Sequence, residues 1–92
     1  MKRMVRVNEL LKRELGNILE RGFCREMDCL VTVTGVKTAP DIRNAIVFVS
    51  VYGSEEQKLS TLNMLRRRRG DIQHQVNSAL SLKFTPKLSF RI

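Results

Sequence analysis

The chain has no tryptophan, two prolines, two cysteines and one histidine in 92 residues. Each scarcity removes a class of protein. Cys24 and Cys29 are too few for a disulfide-dense scaffold, and with His74 as the lone imidazole neither the count nor the spacing suits a zinc site. Both thiols are read as reduced and structural. There is no P-loop, no Gly-x-Ser-x-Gly elbow and no His-Glu-x-x-His pair. Asp41, Glu55, Glu56 and Asp71 share no paired-carboxylate spacing, and His74 stands between Gln73 and Gln75, where packing or surface exposure explains it better than catalysis. Neither an active site nor a cofactor is expected. The start MKRMVRVNELLKREL has basic residues without the apolar run of a secretory signal, and Glu9 and Glu14 are unlike a transit segment. Nothing approaches the roughly 20 apolar residues of a membrane span. A cytoplasmic protein with no membrane partner is expected.

Acids are scarce in one place only. Residues 1–57 hold nine basic and eight acidic side chains, whereas residues 58–92 hold eight basic ones and Asp71 alone, so the net charge of +8 divides as +1 and +7. Such a field says nothing about fold but points to a polyanionic partner. Five aromatics are present; Phe48, Tyr52, Phe84 and Phe90 fall in strand patterns where packing accounts for most of them. Recognition of an RNA backbone and its shape is therefore favoured over reading of bases.

With 42% hydrophobic residues the chain has the composition of one modest globular domain. Val7, Leu10, Leu11, Leu15, Ile18 and Leu19 recur at three- and four-residue spacing, which predicts an amphipathic helix over about 4–21 with Gly22 as its stop. Arg6 and Arg13 fall away from the stripe. After a turn-like stretch from Arg25 to Asp28, residues 30–36 alternate as a half-buried strand. Turn chemistry follows at 37–41. A second strand over 45–52 puts Ala45, Val47, Val49 and Val51 on one face and Ile46, Phe48, Ser50 and Tyr52 on the other.

Ser54-Glu55-Glu56-Gln57 has the form of a capping box and starts a helix. Continued to Ser81 it would bury Leu62, Leu65, Ile72, Val76, Ala79 and Leu80 with Arg69 in their midst, which a core does not accept without a partner. A kink is predicted at 69–70, with Gly70 in a left-handed terminating position and Asp71 capping a new helix. The alternation from Leu82 predicts a last strand, paired from Lys87 because Pro86 cannot donate to a ladder. The helical crossover should make the second and third strands parallel. The order is α-β-β-α-kink-α-β, with helices on one face of a small mixed sheet.

The run Arg66-Arg67-Arg68-Arg69-Gly70-Asp71 is the most informative local feature. A solvated charge run near a helix end is the plain reading. Four arginines exceed that need, and a kink would set their guanidinium groups beside the free amides of a new helix, a geometry suited to phosphates. Lys83, Lys87 and Arg91 share one side of the last strand; each alone is as readily an edge-protecting lysine or arginine as an RNA contact. The expected RNA-binding set is Arg6, Arg13, Arg66, Arg67, Arg68, Arg69, Gly70, Lys83 and Lys87.

Several segments together resemble the ribosome-binding factor A family: residues 6–15 (RVNELLKREL), Val33-Thr34-Gly35-Val36, Pro40-Asp41-Ile42, residues 45–50 (AIVFVS), and residues 80–90 (LSLKFTPKLSF). The resemblance implies a type II KH-like fold, binding to the immature small (30S) ribosomal subunit and its rRNA, help in its maturation including the 5′ end of 16S rRNA, and a part in cold adaptation. It implies no catalysis. Family members carry an Ala-x-Gly kink where typical KH domains have a Gly-x-x-Gly loop. Arg68, Arg69 and Gly70 match those positions, with arginine in place of the alanine. The family commonly has a further C-terminal segment, so a single domain over 1–92 with that tail absent or cut is expected, monomeric off the ribosome. The competing reading is a protein-interaction module that pairs through an open sheet edge. A third, an RNA-cleaving or RNA-modifying enzyme using His74, has less support.

Overall fold

The computed structural model describes residues 2–22, 30–41, 43–80 and 86–92. In chain order these form α1 (Lys2–Gly22), β1 (Leu30–Thr38), β2 (Asn44–Tyr52), α2 (Glu55–Arg67), α3 (Arg69–Leu80) and β3 (Lys87–Arg91). The α+β order matches the sequence pattern element for element. The expected turn at 25–28, both cysteines, Lys83 and Phe84 lie outside the described residues.

The sheet has the order β1-β2-β3, with β1 antiparallel to β2 and β2 parallel to β3. That pairing follows from the connections: a short turn can join only antiparallel neighbours, whereas the α2–α3 crossover returns the chain in the same direction. Ala45, Val47, Val49 and Val51 are buried on one face of β2, and Leu88 and Phe90 continue that face on β3. Leu11, Leu15, Ile18 and Leu19 of α1 close the core with Met64, Leu65, Ile72 and Val76 from α2 and α3. A fully buried side chain such as Leu15 or Ile72 contributes about 1.5–3 kcal/mol by burial. All three helices therefore sit on one face, and no described element covers the other face of the sheet.

Two boundaries differ from the sequence reading. Lys37 and Thr38 belong to β1 and not to the turn, because Thr38 pairs with Ala45 and Lys37 with Ile46. Asn8 of α1 secures that end: its Oδ1 accepts the Thr38 N–H at 3.1 Å and also the Thr38 hydroxyl. The turn is thereby shortened to Pro40 and Asp41, with Asp41 Oδ1 accepting the Arg43 N–H at 3.0 Å. Within β1 the register slips between Val33 and Gly35, so Thr34 is an extra residue whose hydroxyl donates to the Phe48 carbonyl at 3.1 Å.

The second difference concerns the kink. It falls at Arg68 (φ −94°, ψ 10°), one residue ahead of the expected 69–70. Arg68 N–H still reaches the Met64 carbonyl at 2.9 Å, and Ile72 N–H reaches the Arg68 carbonyl at 3.1 Å. Between them the i to i−4 ladder lapses for three residues. A backbone in the bridge region makes this bend without any left-handed residue. Gly70 is accordingly an ordinary member of the first turn of α3, not a terminator, and Asp71 is not its cap. The start of α2 is as expected: Ser54 Oγ accepts the Gln57 N–H at 3.1 Å while Gln57 Oε1 accepts the Ser54 N–H at 2.8 Å. Gly53 makes room for this box, since a Cβ there would stand 2.5 Å from Gln57 Oε1.

Candidate nucleic-acid interface

The bend divides the arginine run. Arg66, in the last turn of α2, and Arg69, in the first turn of α3, are three residues apart and turn toward β3. With Lys87, Leu88, Ser89, Phe90 and Arg91 they line a shallow groove of about 390 Å³. Four of its seven described lining residues are cationic and none of these seven is acidic. Among the described residues no carboxylate pairs with Arg66 or Arg69 within 4 Å. Arg69, which a straight helix would have driven into the core, is instead half-buried at the groove wall. Guanidinium groups held this way offer forked donors to phosphate oxygens.

The groove depends on where β3 is placed against α3. Gln73 Oε1 accepts the Leu88 N–H at 3.0 Å, and Gln73 Nε2 donates to the Pro86 carbonyl at 2.9 Å. On the other side, Lys87 N–H donates to the Arg43 carbonyl at 2.8 Å. Strand and kink are thus tied together through backbone atoms of β3.

The remaining expected residues are not in the groove. Arg67 points to a different hollow beside Glu56, Leu59, Ser60, Asn63 and Met64. Arg68 Nε stands 3.4 Å from Asp71 Oδ2, an i, i+3 charge contact that spans the bend. Gly70 is exposed and adds no side chain. Arg6 and Arg13 are exposed on α1 with Val5, Glu9 and Leu10, a separate patch sharing no residue with the groove. Lys83 is outside the described residues. Arg91, absent from the expected set, lines the groove; its sign and its alternation with Lys87 were the available signal. Tyr52 is another departure: it is 71% exposed instead of packed. No group of three or more His, Cys, Asp or Glu residues that could hold a metal occurs among the described residues. None of their helices is long and apolar enough to cross a membrane.

A three-stranded mixed sheet, helices on one face only and a bent helix pair whose cations face the last strand define a KH-like α+β domain. The model of the family described as ribosome-binding factor A matches residues 3–92. A curated ribosome-binding factor A from Opitutus terrae is 40% identical over 88 residues, covering 96% of this chain and 71% of that protein. The chain belongs to the ribosome-binding factor A family. Among solved structures, the crystal structure of ribosome-binding factor A from Thermus thermophilus superposes with a TM-score of 0.80 at 22% identity, covering 96% of this chain and 93% of that one. A Thermus thermophilus ribosome-binding factor A homology model fitted into the cryo-EM map of a 30S complex gives a TM-score of 0.75 at 23% identity, covering 90% and 87%. The solution structure of a Thermotoga maritima protein described as a putative ribosome-binding factor A gives 0.67 at 24% identity, covering 98% and 82%. These likenesses establish the fold.

Proposed function

We propose that this chain binds the immature small ribosomal subunit through its rRNA and assists maturation of that subunit, including the 5′ end of 16S rRNA, without catalysing a reaction itself. The observation that carries this reading is the groove lined by Arg66, Arg69, Lys87 and Arg91 with no acid among its described lining residues. Family membership supports the target, and the 30S complex of the Thermus relative gives a precedent for it. A binder that favours one rRNA arrangement over its competitors shifts a folding equilibrium by its differential affinity alone. The need for such help grows in the cold, where wrong pairings persist, which fits the cold-adaptation expectation. The domain acts as a cytoplasmic monomer when off the ribosome, with Arg6, Arg13, Arg67 and Lys83 adding to the attractive field. Arg68 forms the bend, and Gly70 follows it in the first turn of α3.

Sedimentation with precursor and mature small subunits over a range of salt concentrations tests the proposal. Co-sedimentation with the precursor that weakens steeply as salt rises is expected. Equal, salt-insensitive association with both particles, or none with either, would refute it.

A further inference from the structure

The open face of the sheet carries residues that the groove does not use. In register across the strands it presents Leu30, Thr32, Gly35 and Lys37 of β1, then Asn44, Ile46, Phe48, Ser50 and Tyr52 of β2, then Lys87, Ser89 and Arg91 of β3. No acid is among them. Tyr52 is 71% exposed, and Phe48 and Ile46 are half-buried on a face that no described helix covers. Phe48 lies between Gly35 and Arg91. Gly35 puts no side chain on the face at the position paired with Phe48, and the space where its Cβ would be is open, with nothing within 4 Å.

Lys87, Ser89 and Arg91 belong to both surfaces, since they line the groove and also project from the open face. Phosphates held in the groove therefore lie along β3, the strand that neighbours β2 and its aromatic rings at a spacing of about 4.8 Å. Phe48 and Tyr52 are four residues apart on β2, roughly 13 Å. That exceeds the spacing of about 3.4 Å between neighbouring bases in a helical stack. Rings so separated can take two bases only from an extended strand whose bases are splayed, not from a duplex.

We infer that the open face is a binding surface for unpaired RNA, with bases stacked on Phe48 and Tyr52 while Lys37, Lys87 and Arg91 neutralise the connecting phosphates. Aromatic platforms beside cations bind single strands with little regard to sequence, because every base has a π-face. The inference rests on the RNA-binding reading above and extends it from the phosphate backbone to the bases. It makes the domain a reader of two features at once: structured RNA in the groove, and a single-stranded segment leaving it across β3.

The chain supplies its own reporter. Tyr52 is the only tyrosine and there is no tryptophan, so the intrinsic emission is that of Tyr52 alone. The protein is titrated with decauridylate, whose bases stack poorly on one another, with an abasic decamer of equal charge and with a blunt RNA duplex. Emission lifetime is followed because absorption by the RNA does not distort it. Decauridylate should shorten the lifetime at least twofold, and the abasic strand and duplex should not. Tyr52→Ser, a change at an exposed position, should weaken binding of labelled decauridylate about tenfold. Phe48→Leu, which keeps an apolar side chain at a half-buried site, should weaken it several-fold. An unchanged lifetime on saturation, equal quenching by the abasic strand, undiminished affinity of Tyr52→Ser, or failure to bind decauridylate at all would each overturn the inference. Co-sedimentation with the precursor subunit is scored separately, so loss of this face and loss of the proposed function are distinguishable.

Discussion

Gln73 stands in for a fourth strand beside Leu88. Its side-chain amide accepts the Leu88 N–H and donates to the Pro86 carbonyl, so a single residue of α3 occupies the outer edge of β3 with the pairing that a neighbouring strand would otherwise provide. Gln73→Leu keeps much of the volume and leaves both backbone groups unpartnered in a part-buried setting. A loss of about 1–3 kcal/mol is expected, read as a lower urea midpoint with an unchanged slope. A midpoint within error of wild type would mean that water replaces the amide at no cost.

The box at the start of α2 predicts a coupling. Gly53→Ala brings a Cβ onto Gln57 Oε1 and should expel that side chain, whereas Gln57→Ala removes it outright. Each should cost about 0.5–1 kcal/mol. The double variant should cost no more than the worse of the two, and a double-mutant cycle by chemical denaturation measures this. Additive losses would show that alanine at 53 is unfavourable for another reason.

At Gly70 the outcome runs against what the family motif suggests. The residue is helical, its φ is not left-handed and nothing lies within 4 Å of a Cβ placed there. Gly70→Ala should therefore stabilise the domain by about 0.5–1 kcal/mol, raising Tm by several degrees. A fall in Tm would argue that the bend requires a backbone only glycine adopts.

The division of the arginine run should be visible in salt dependence. Replacing Arg66 and Arg69 together by Ala should reduce the slope of log K against log salt by roughly 1.4–2 for RNA held in the groove. Arg67→Ala, which removes a cation outside the groove, should lower the slope by less than half as much. Arg68→Ala breaks a part-exposed charge contact with Asp71, for which about 0–1 kcal/mol of stability is at stake. Equal slopes for the Arg66/Arg69 and Arg67 variants would move the contact surface away from the groove.

Element order, strand alternation and the capping box were all legible in the sequence because they rest on local periodicity. Val47 and Phe48 fall on opposite faces of β2 by spacing alone, and Arg69 betrayed the bend by its conflict with an apolar face. What escaped depends on partners distant in sequence. Thr38 reads as a turn residue until Asn8, thirty positions earlier, is seen to hold it in a strand. Met64 and Thr61 enter the core while Ala79 stays exposed, because the bend reorients the second half of the helical face. Which two of four adjacent arginines share a groove depends on the dihedral angles of Arg68, and no composition or period reports those.

The extra residue at Thr34 bears on how these molecules behave when crowded. A foreign strand docking along the outer rim of β1 could match the alternation of Val31 and Val33, but past the bulge it would meet Val36 and Thr38 out of phase. Lys37 adds a charge near the same rim. With the opposite rim plugged by Gln73, the sheet ends at three strands on both sides, and concentrated solutions should resist the edge-to-edge stacking that leads to fibrils.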